Sequence, residues 1–450
     1  MHRSRAELAR GSLFTMMQIA AALAVAGCGG DQQPRSLPPQ DGTVPIVVGH
    51  RGMPGLFPEE TLPSYEGAAD AGADSLELDL HMTRDCVLVA RHNPWLSDNT
   101  NIAEVAKTNP EVAARKRTVP GIPVNVTYDL AKYGGPAQYL TDLTDPGDPK
   151  SVLKSLVVDG EDHTGDWSIT DFTAAELKAW IGGTTYDAAA LRPSELNGLY
   201  PVLTMQEVLD LAKTRSASTG RTITVYPESK NPHWNDAQAI ANGCGTGSHP
   251  FEDAIVELIR DNDLNSGSAA IYVQSFDPAS LRYMRSIGLA ARAVQLVDGN
   301  EVDYRAGAVI YQADDASNFV SGRPYSWTLV GDGRFFGAML TPTGLDEIKT
   351  YADGLGAWKP QVMALTGPTG TLAGVDSARP TSLLADAHGA GLFVHVFTFR
   401  NEQKYLAGLF DGDPTAELLT YYRAGVDGVF ADFPNTAVAA RARYLKEVGR

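Results

Sequence analysis

The stretch from Val44 to Leu80 restricts the fold more than any other. An apolar run, Val44 to Val48, has the length and composition of a buried strand. Thr61 then stands where it can cap a helix, and Pro63 falls in the first turn, where its missing N–H costs little. Leu62, Tyr65 and Ala69 recur at helical spacing before Gly72 ends the pattern. A second strand pattern, SLELDL, follows at 75–80. Strand, helix, strand is the unit of a parallel sheet, because parallel neighbours need a crossover connection.

The unit recurs to the end of the chain. LTMQEVLDLAKTR (203–215) predicts a helix, TITVYPESK (222–230) a strand, 250–259 a helix and AAIYVQSF (269–276) a strand. PASLRYMRSIG, ARAVQLV, GLDEIKTYADGLG, SLLADAHGAG, LFVHVFTFR and YYRAGVDGVFADFP continue the alternation, and a helix from Asn435 to Val448 closes it. Nine candidate strands stand against the eight that a closed barrel needs, so one of YADGLG, VMALTG or ARAVQLV is in excess. The period argues for an α/β fold, a (β/α)8 barrel rather than an open sheet, within 44–450. No Gly-rich phosphate fingerprint follows any strand. From Pro94 to Leu199 the alternation is lost, and this region reads as an insertion on the barrel rim after the third strand. Within it DLTDPGDPK and VVDGEDHTGDW are expected as solvated loops, and ITDFTAAELKAW as one helix starting near Thr170 or Asp171.

The first residues lie outside this pattern. Arg3, Arg5 and Arg10 precede an apolar stretch ending at Cys28, which is the form of a secretory signal. It is short for a membrane span, which needs about 20 apolar residues. Val25-Ala26-Gly27-Cys28 resembles a bacterial lipobox, so 1–27 is expected to be a lipoprotein signal, Cys28 the lipidated residue and 28–43 a polar, proline-rich tether. The alternative is an ordinary signal with Cys28 incidental. An exported chain anchored on the periplasmic or cell-surface side of a membrane follows from the first option. Cys86 and Cys244 then remain, and pairing and free thiols are both open. The formal charge of −17 argues against a nucleic-acid partner, since phosphate backbones demand a basic surface.

In a barrel, functional side chains sit at the C-terminal ends of strands. The strand-end residues here are His50 and Arg51, Glu77 and Asp79, His92, Glu228 and Lys230, Gln274, and Arg400. Glu77 and Asp79 are two apart on one strand and share a face, as do Glu228 and Lys230. Three carboxylates from two strands suit a hard divalent cation better than zinc. Taken singly, Glu77 or Glu228 would equally form a buried ion pair with Lys230 or Arg51. Arg51 and Lys230 fit a phosphate ligand, and two imidazoles suit proton transfer near neutral pH. Together the set points to metal-assisted cleavage of a phosphodiester.

At these positions the sequence resembles the glycerophosphodiester phosphodiesterase family, and most its periplasmic bacterial branch. The matching pieces are HRG at 50–52, PEETLP at 58–63, GADSLELDLHMTRD at 72–85, VARHNPWL at 89–96, YPESKNP at 226–232, VQSFD at 273–277, VHVFTFR at 394–400 and AGVDGVFADFP at 424–434. They keep family order over nearly the whole chain beyond the signal. The resemblance implies Ca2+, or alternatively Mg2+, held by Glu77, Asp79 and Glu228. It implies His50 and His92 as the acid–base pair, Arg51 and Lys230 near the phosphate, and Glu59 in an orienting position. It implies hydrolysis of a glycerophosphodiester to glycerol 3-phosphate and an alcohol. Departures from the family are Asn93, where an acidic residue is usual and whose lack of charge predicts a less basic His92, Cys86 in a turn, and Phe397 toward the glycerol pocket. Two other functions fit less well. A phospholipase D-like phosphodiesterase acting on lysolipids or sphingolipids would need apolar loops at the barrel mouth, and 94–199 is mostly polar. An inactive binding lipoprotein would not need both histidines and all three carboxylates.

Overall fold

The computed structural model describes residues 44–117, 156–186, 192–311 and 322–450. The expected signal, Cys28, the tether and DLTDPGDPK lie outside the described residues. Eight parallel strands form the centre: β1 (Ile46–Gly49), β2 (Ser75–Met82), β3 (Thr224–Ser229), β4 (Tyr272–Ser275), β5 (Arg292–Val297), β6 (Gly354–Trp358), β7 (Phe393–Phe399) and β8 (Gly428–Ala431). Each pairs with the next, and β1 pairs with both β2 and β8, which closes the barrel. Successive side chains point to opposite faces of a strand. Leu76, Leu78, Val225, Val273, Val394 and Val429 join the core beneath the surrounding helices. The alternate residues Val48, Tyr226, Tyr272, Val294 and Phe430 form a separate apolar plug. A Cβ on Gly354 would stand 2.1 Å from the Phe393 ring, so glycine there makes room for the aromatic filling.

The period-2 rule places the site. Val48 and His50, Tyr226 and Glu228, Tyr272 and Gln274, and Phe430 and Asp432 are each two apart, so the plug becomes a floor and the polar residues stand on it.

One alternative left open in the sequence is settled, and two expectations about the elements are corrected. The excess strand is VMALTG: Met363–Thr366 pairs antiparallel with Ser377–Pro380, outside the barrel. The third strand in chain order, Leu88–Ala90, is no stave either. It runs antiparallel to β2 with Ala90 opposite Leu80, so the residues beyond Pro94 leave from a hairpin on the second stave. ITDFTAAELKAW is a 3-10 turn, Ile169–Asp171, followed by a helix, Ala174–Trp180. Thr173 caps that helix: its Oγ1 accepts from the Glu176 N–H at 3.2 Å, and the Glu176 carboxylate accepts from the Thr173 N–H at 2.8 Å. The T-x-x-E capping box wins over the earlier Thr170 and Asp171 because it satisfies two helix-start donors at once.

The described part of 94–199 is also more than solvated loop. Leu96, Ile102, Trp167, Ile169, Phe172 and Leu177 are buried in a second apolar cluster with Trp234. Val157, Val158 and Asp159 of VVDGEDHTGDW are buried as well. Apolar residues spaced through a polar segment can still meet, and no single period reveals it.

Cys86 and Cys244 form a disulfide with Cα atoms 5.4 Å apart and a sequence separation of 158. It ties the turn before Leu88–Ala90 to the loop after the helix Pro232–Ala241. Closing so long a loop in the unfolded chain is worth about 2–5 kcal/mol. Reduction, or Cys86→Ser with Cys244→Ser, is expected to lower Tm by several degrees in a thermal scan; an unchanged Tm would show that the bridge constrains nothing.

Candidate active site

His50, Arg51, Glu77, Asp79, His92, Glu228 and Lys230 all line one cavity of about 360 Å3 at the C-terminal mouth of the barrel. That is within the range of small-ligand sites. Asp79 and Glu228 are register partners on β2 and β3, and Glu77 sits one pleat below Asp79. Glu77, Asp79 and Glu228 each offer a carboxylate oxygen within 4.8 Å of the others, and all three are buried. Lys230 Nζ lies 3.2 Å from Glu228 Oε1 and 3.8 Å from Asp79 Oδ1.

Arg51 has a left-handed backbone, φ +52°. That turn lets its N–H donate to Glu77 Oε2 at 2.6 Å while its guanidinium Nη1 donates to Glu59 Oε2 at 2.8 Å and its Nε lies 3.0 Å from Asp79 Oδ2. Glu59 also accepts from Asn99 Nδ2 at 2.9 Å, so one carboxylate meets both Arg51 and Asn99. Gln274 Nε2 donates to Glu77 Oε1 at 3.2 Å.

The two histidines arrive differently. His50 follows β1 directly, and its Nδ1 lies 2.7 Å from Asp432 Oδ1. His92 comes back down the hairpin: the Arg91 N–H donates to the Asp79 carbonyl at 2.7 Å, which sets the following residue at the height of the carboxylates. The described residues give the His92 ring no hydrogen-bond partner.

The description "Glycerophosphoryl diester phosphodiesterase family" belongs to the family model that matches residues 50–436. The chain belongs to this family. It is 28% identical to glycerophosphodiester phosphodiesterase GDPD6 of Arabidopsis thaliana over 398 residues, 86% of this chain and 84% of that protein. A glycerophosphodiester phosphodiesterase of Haemophilus influenzae is 23% identical over 406 residues, 87% of this chain and 88% of that protein. A crystal structure of a glycerophosphodiester phosphodiesterase from Agrobacterium tumefaciens aligns with a TM-score of 0.47 at 14% identity, covering 88% of this chain and 99% of that one. The chain is thus an enzyme of the phosphodiesterase class.

The electrostatics of this phosphodiesterase site follow from crowding buried charges. Burial, then Asp79, raises Glu77 well above the usual carboxylate range, and burial raises Glu228 to about 8 against the pull of Lys230. Burial also acts on Asp79, but Lys230, Arg51 and His50 outweigh it and hold that carboxylate low. The donor set fits a hard divalent ion: three buried carboxylates converge, and burial with mutual repulsion raises Glu77 and Glu228, a cost that a cation between them would relieve. Burial lowers His92 well below the ordinary imidazole value, helped by Arg51 and Lys230. The weak basicity expected from Asn93 therefore has another cause, and Asn93 itself donates to Asp98.

Several residues in and around the site were missed in sequence. Asp432 binds His50 and also accepts from Arg192 Nη2 at 2.6 Å and Arg400 Nε at 3.1 Å. Arg192 and Tyr186 come from the irregular region, and the Tyr186 ring lies 5.3 to 5.4 Å from the guanidinium carbons of Arg51, Arg192 and Arg400. Glu60 is buried beside Glu59 and accepts from the Asp79 N–H at 2.8 Å. Asp432 had a signal, being two beyond Phe430 in an alternating strand; the others had none.

Proposed function

We propose that the chain hydrolyses glycerophosphodiesters to sn-glycerol 3-phosphate and an alcohol, with Ca2+, or alternatively Mg2+, held by Glu77, Asp79 and Glu228. The observation that carries this reading is the convergence of those three carboxylates, both histidines, Arg51 and Lys230 on one cavity. A bound divalent ion there supplies charge neutralisation to the phosphate oxygens. Arg51 and Lys230 add fixed positive charge beside the same oxygens.

Asp432 accepts from His50 Nδ1–H, which leaves Nε2 free to take the proton of the attacking oxygen, and its charge stabilises the imidazolium that forms. Among the described residues, His92 has cations around it and no carboxylate hydrogen-bonded to its ring. The anionic phosphate offsets those cations and lets His92 carry the proton that the departing oxygen needs. Asp432→Asn is expected to cut kcat about 10- to 100-fold with KM nearly unchanged. It should also move the acid limb of the kcat/KM profile to lower pH, because the carboxylate that raises His50 is gone. A profile that keeps its acid limb in place would count against Asp432 acting through His50.

The chain is further proposed to be exported and anchored through Cys28, as in the periplasmic bacterial branch of the family. The leader pattern supports this, and so does the Cys86–Cys244 bridge, since disulfides persist in oxidising compartments. The testing experiment assays the purified chain on glycerophosphocholine and lysophosphatidylcholine with Ca2+, with Mg2+ and with EDTA. Release of glycerol 3-phosphate from the first substrate, abolished by EDTA, is the expected result. Turnover of the lysolipid alone would overturn the proposal in favour of the phospholipase D-like activity.

A further inference from the structure

A second group of metal-ligating side chains lies away from the cavity, between the helices Pro232–Ala241 and Pro250–Asp261. Asp236 comes from the first helix, Glu252 from the first turn of the second, and His249 is the residue just before it. One ligand atom of each lies within 4.8 Å of the others. Asp236 is well supplied with donors: His249 Nδ1 lies 2.9 Å from its Oδ2, and the Phe251 N–H donates to its Oδ1 at 3.0 Å. Glu252 is not. It is 2% exposed, and its Oε2 is buried without a hydrogen-bond donor among the described residues.

Two buried carboxyl groups facing each other need a proton or a cation between them, because neither can donate to the other when ionised. The imidazole decides which. His249 is about one-third exposed, and its ring packs on Tyr283 at 4.0 Å between centroids. Tyr283 is fixed in turn by its hydroxyl, which donates to Asp253 Oδ1 at 2.7 Å. One nitrogen and two carboxylate oxygens form the ligand set of a borderline divalent ion rather than of a hard one.

We propose that Asp236, His249 and Glu252 bind Zn2+ as a structural site separate from the catalytic carboxylates. The ion would join both ends of the loop 242–249, whose Cys244 is already bridged to Cys86. It would also steady the helix Pro232–Ala241, whose Asn235 Nδ2 donates to the Lys230 carbonyl at 2.7 Å. The site thus braces the segment that follows Lys230 and takes no part in the reaction.

The test uses the untagged full chain in a Glu228→Gln background, which weakens ion binding at the catalytic carboxylates. After chelation, Zn2+ bound per chain is measured by equilibrium dialysis, and Tm is measured with and without Zn2+. The expected result is one more Zn2+ per chain in Glu228→Gln than in Glu228→Gln/Glu252→Gln. With it should come a Zn2+-dependent rise in Tm of about 3 °C in the first protein only. Equal Zn2+ stoichiometry in the two proteins would overturn the proposal and leave a shared proton as the link. If Glu252→Gln does not fold, His249→Ala at the partly exposed position decides on the same two readings. Loss of the extra ion supports the site, and its retention overturns it.

Discussion

Replacing His50 with alanine should lower kcat by about 10²- to 10⁴-fold, the span that a positioned general acid or base contributes. The fold should hold. Among the described residues, His50 is one of three side chains that meet the Asp432 carboxylate, and removing it leaves Arg192 and Arg400 to pair with it. Asp432 is held far below the usual carboxylate range: burial pushes it up, but Arg400, His50 and Arg192 outweigh burial. It stays ionised and satisfied in the variant. KM should shift by only a few-fold, because Arg51, Lys230 and the carboxylates remain in the cavity. His92→Ala should cost a similar factor. The double variant should cost much less than the product of the two if, as proposed, the histidines serve successive proton transfers of one reaction. Steady-state kinetics on glycerophosphocholine, beside a thermal scan, checks all of this. A loss under tenfold for His50→Ala would remove it from the proton-transfer role.

Much of this was legible because barrel geometry turns sequence spacing into direction. Glu77 with Asp79, and Glu228 with Lys230, share a face on any strand, and Asp79 pairs in register with Glu228. What could not be read depends on contacts that spacing does not encode. His92 reaches the site because its strand folds back on β2, whereas an apolar run looks the same in either direction. Arg192 meets Asp432 across 240 residues of sequence, from a region without periodicity. Asp159 looked like one of many loop acids, yet it is buried and lines the cavity, and burial raises it to about 6. Its Nδ2–H donor, Asn231, lies directly after Lys230, so the irregular region and β3 meet at the cavity wall.

Stability of the ion-free enzyme should fall as pH rises, the reverse of the usual acid lability. Glu228 is raised from 4.5 to about 8, and Glu77 also lies well above its ordinary value. Between these limits the folded state holds protons that the unfolded chain releases, so the slope of stability against pH is negative. The contribution is fully present below the unfolded value and is lost as pH passes through about 8. A divalent ion competes for the same oxygens, so binding should release protons and tighten as pH rises toward 8. In EDTA, Tm is therefore expected to drop from about pH 6.5 to pH 8, above the range in which the lowered His50, His81 and His92 act in the opposite sense, and saturating Ca2+ should abolish the drop. Glu228→Gln should flatten the EDTA curve, because an amide keeps the shape of the group without the titration. The same substitution should cost at least about 10³-fold in kcat/KM, since charge stabilisation of several kcal/mol at the phosphate is lost. An EDTA curve that rises with pH would contradict the crowding of these carboxylates. A Glu228→Gln enzyme with near-normal activity would take Glu228 out of the ion's ligand set, whatever becomes of Glu77 and Asp79.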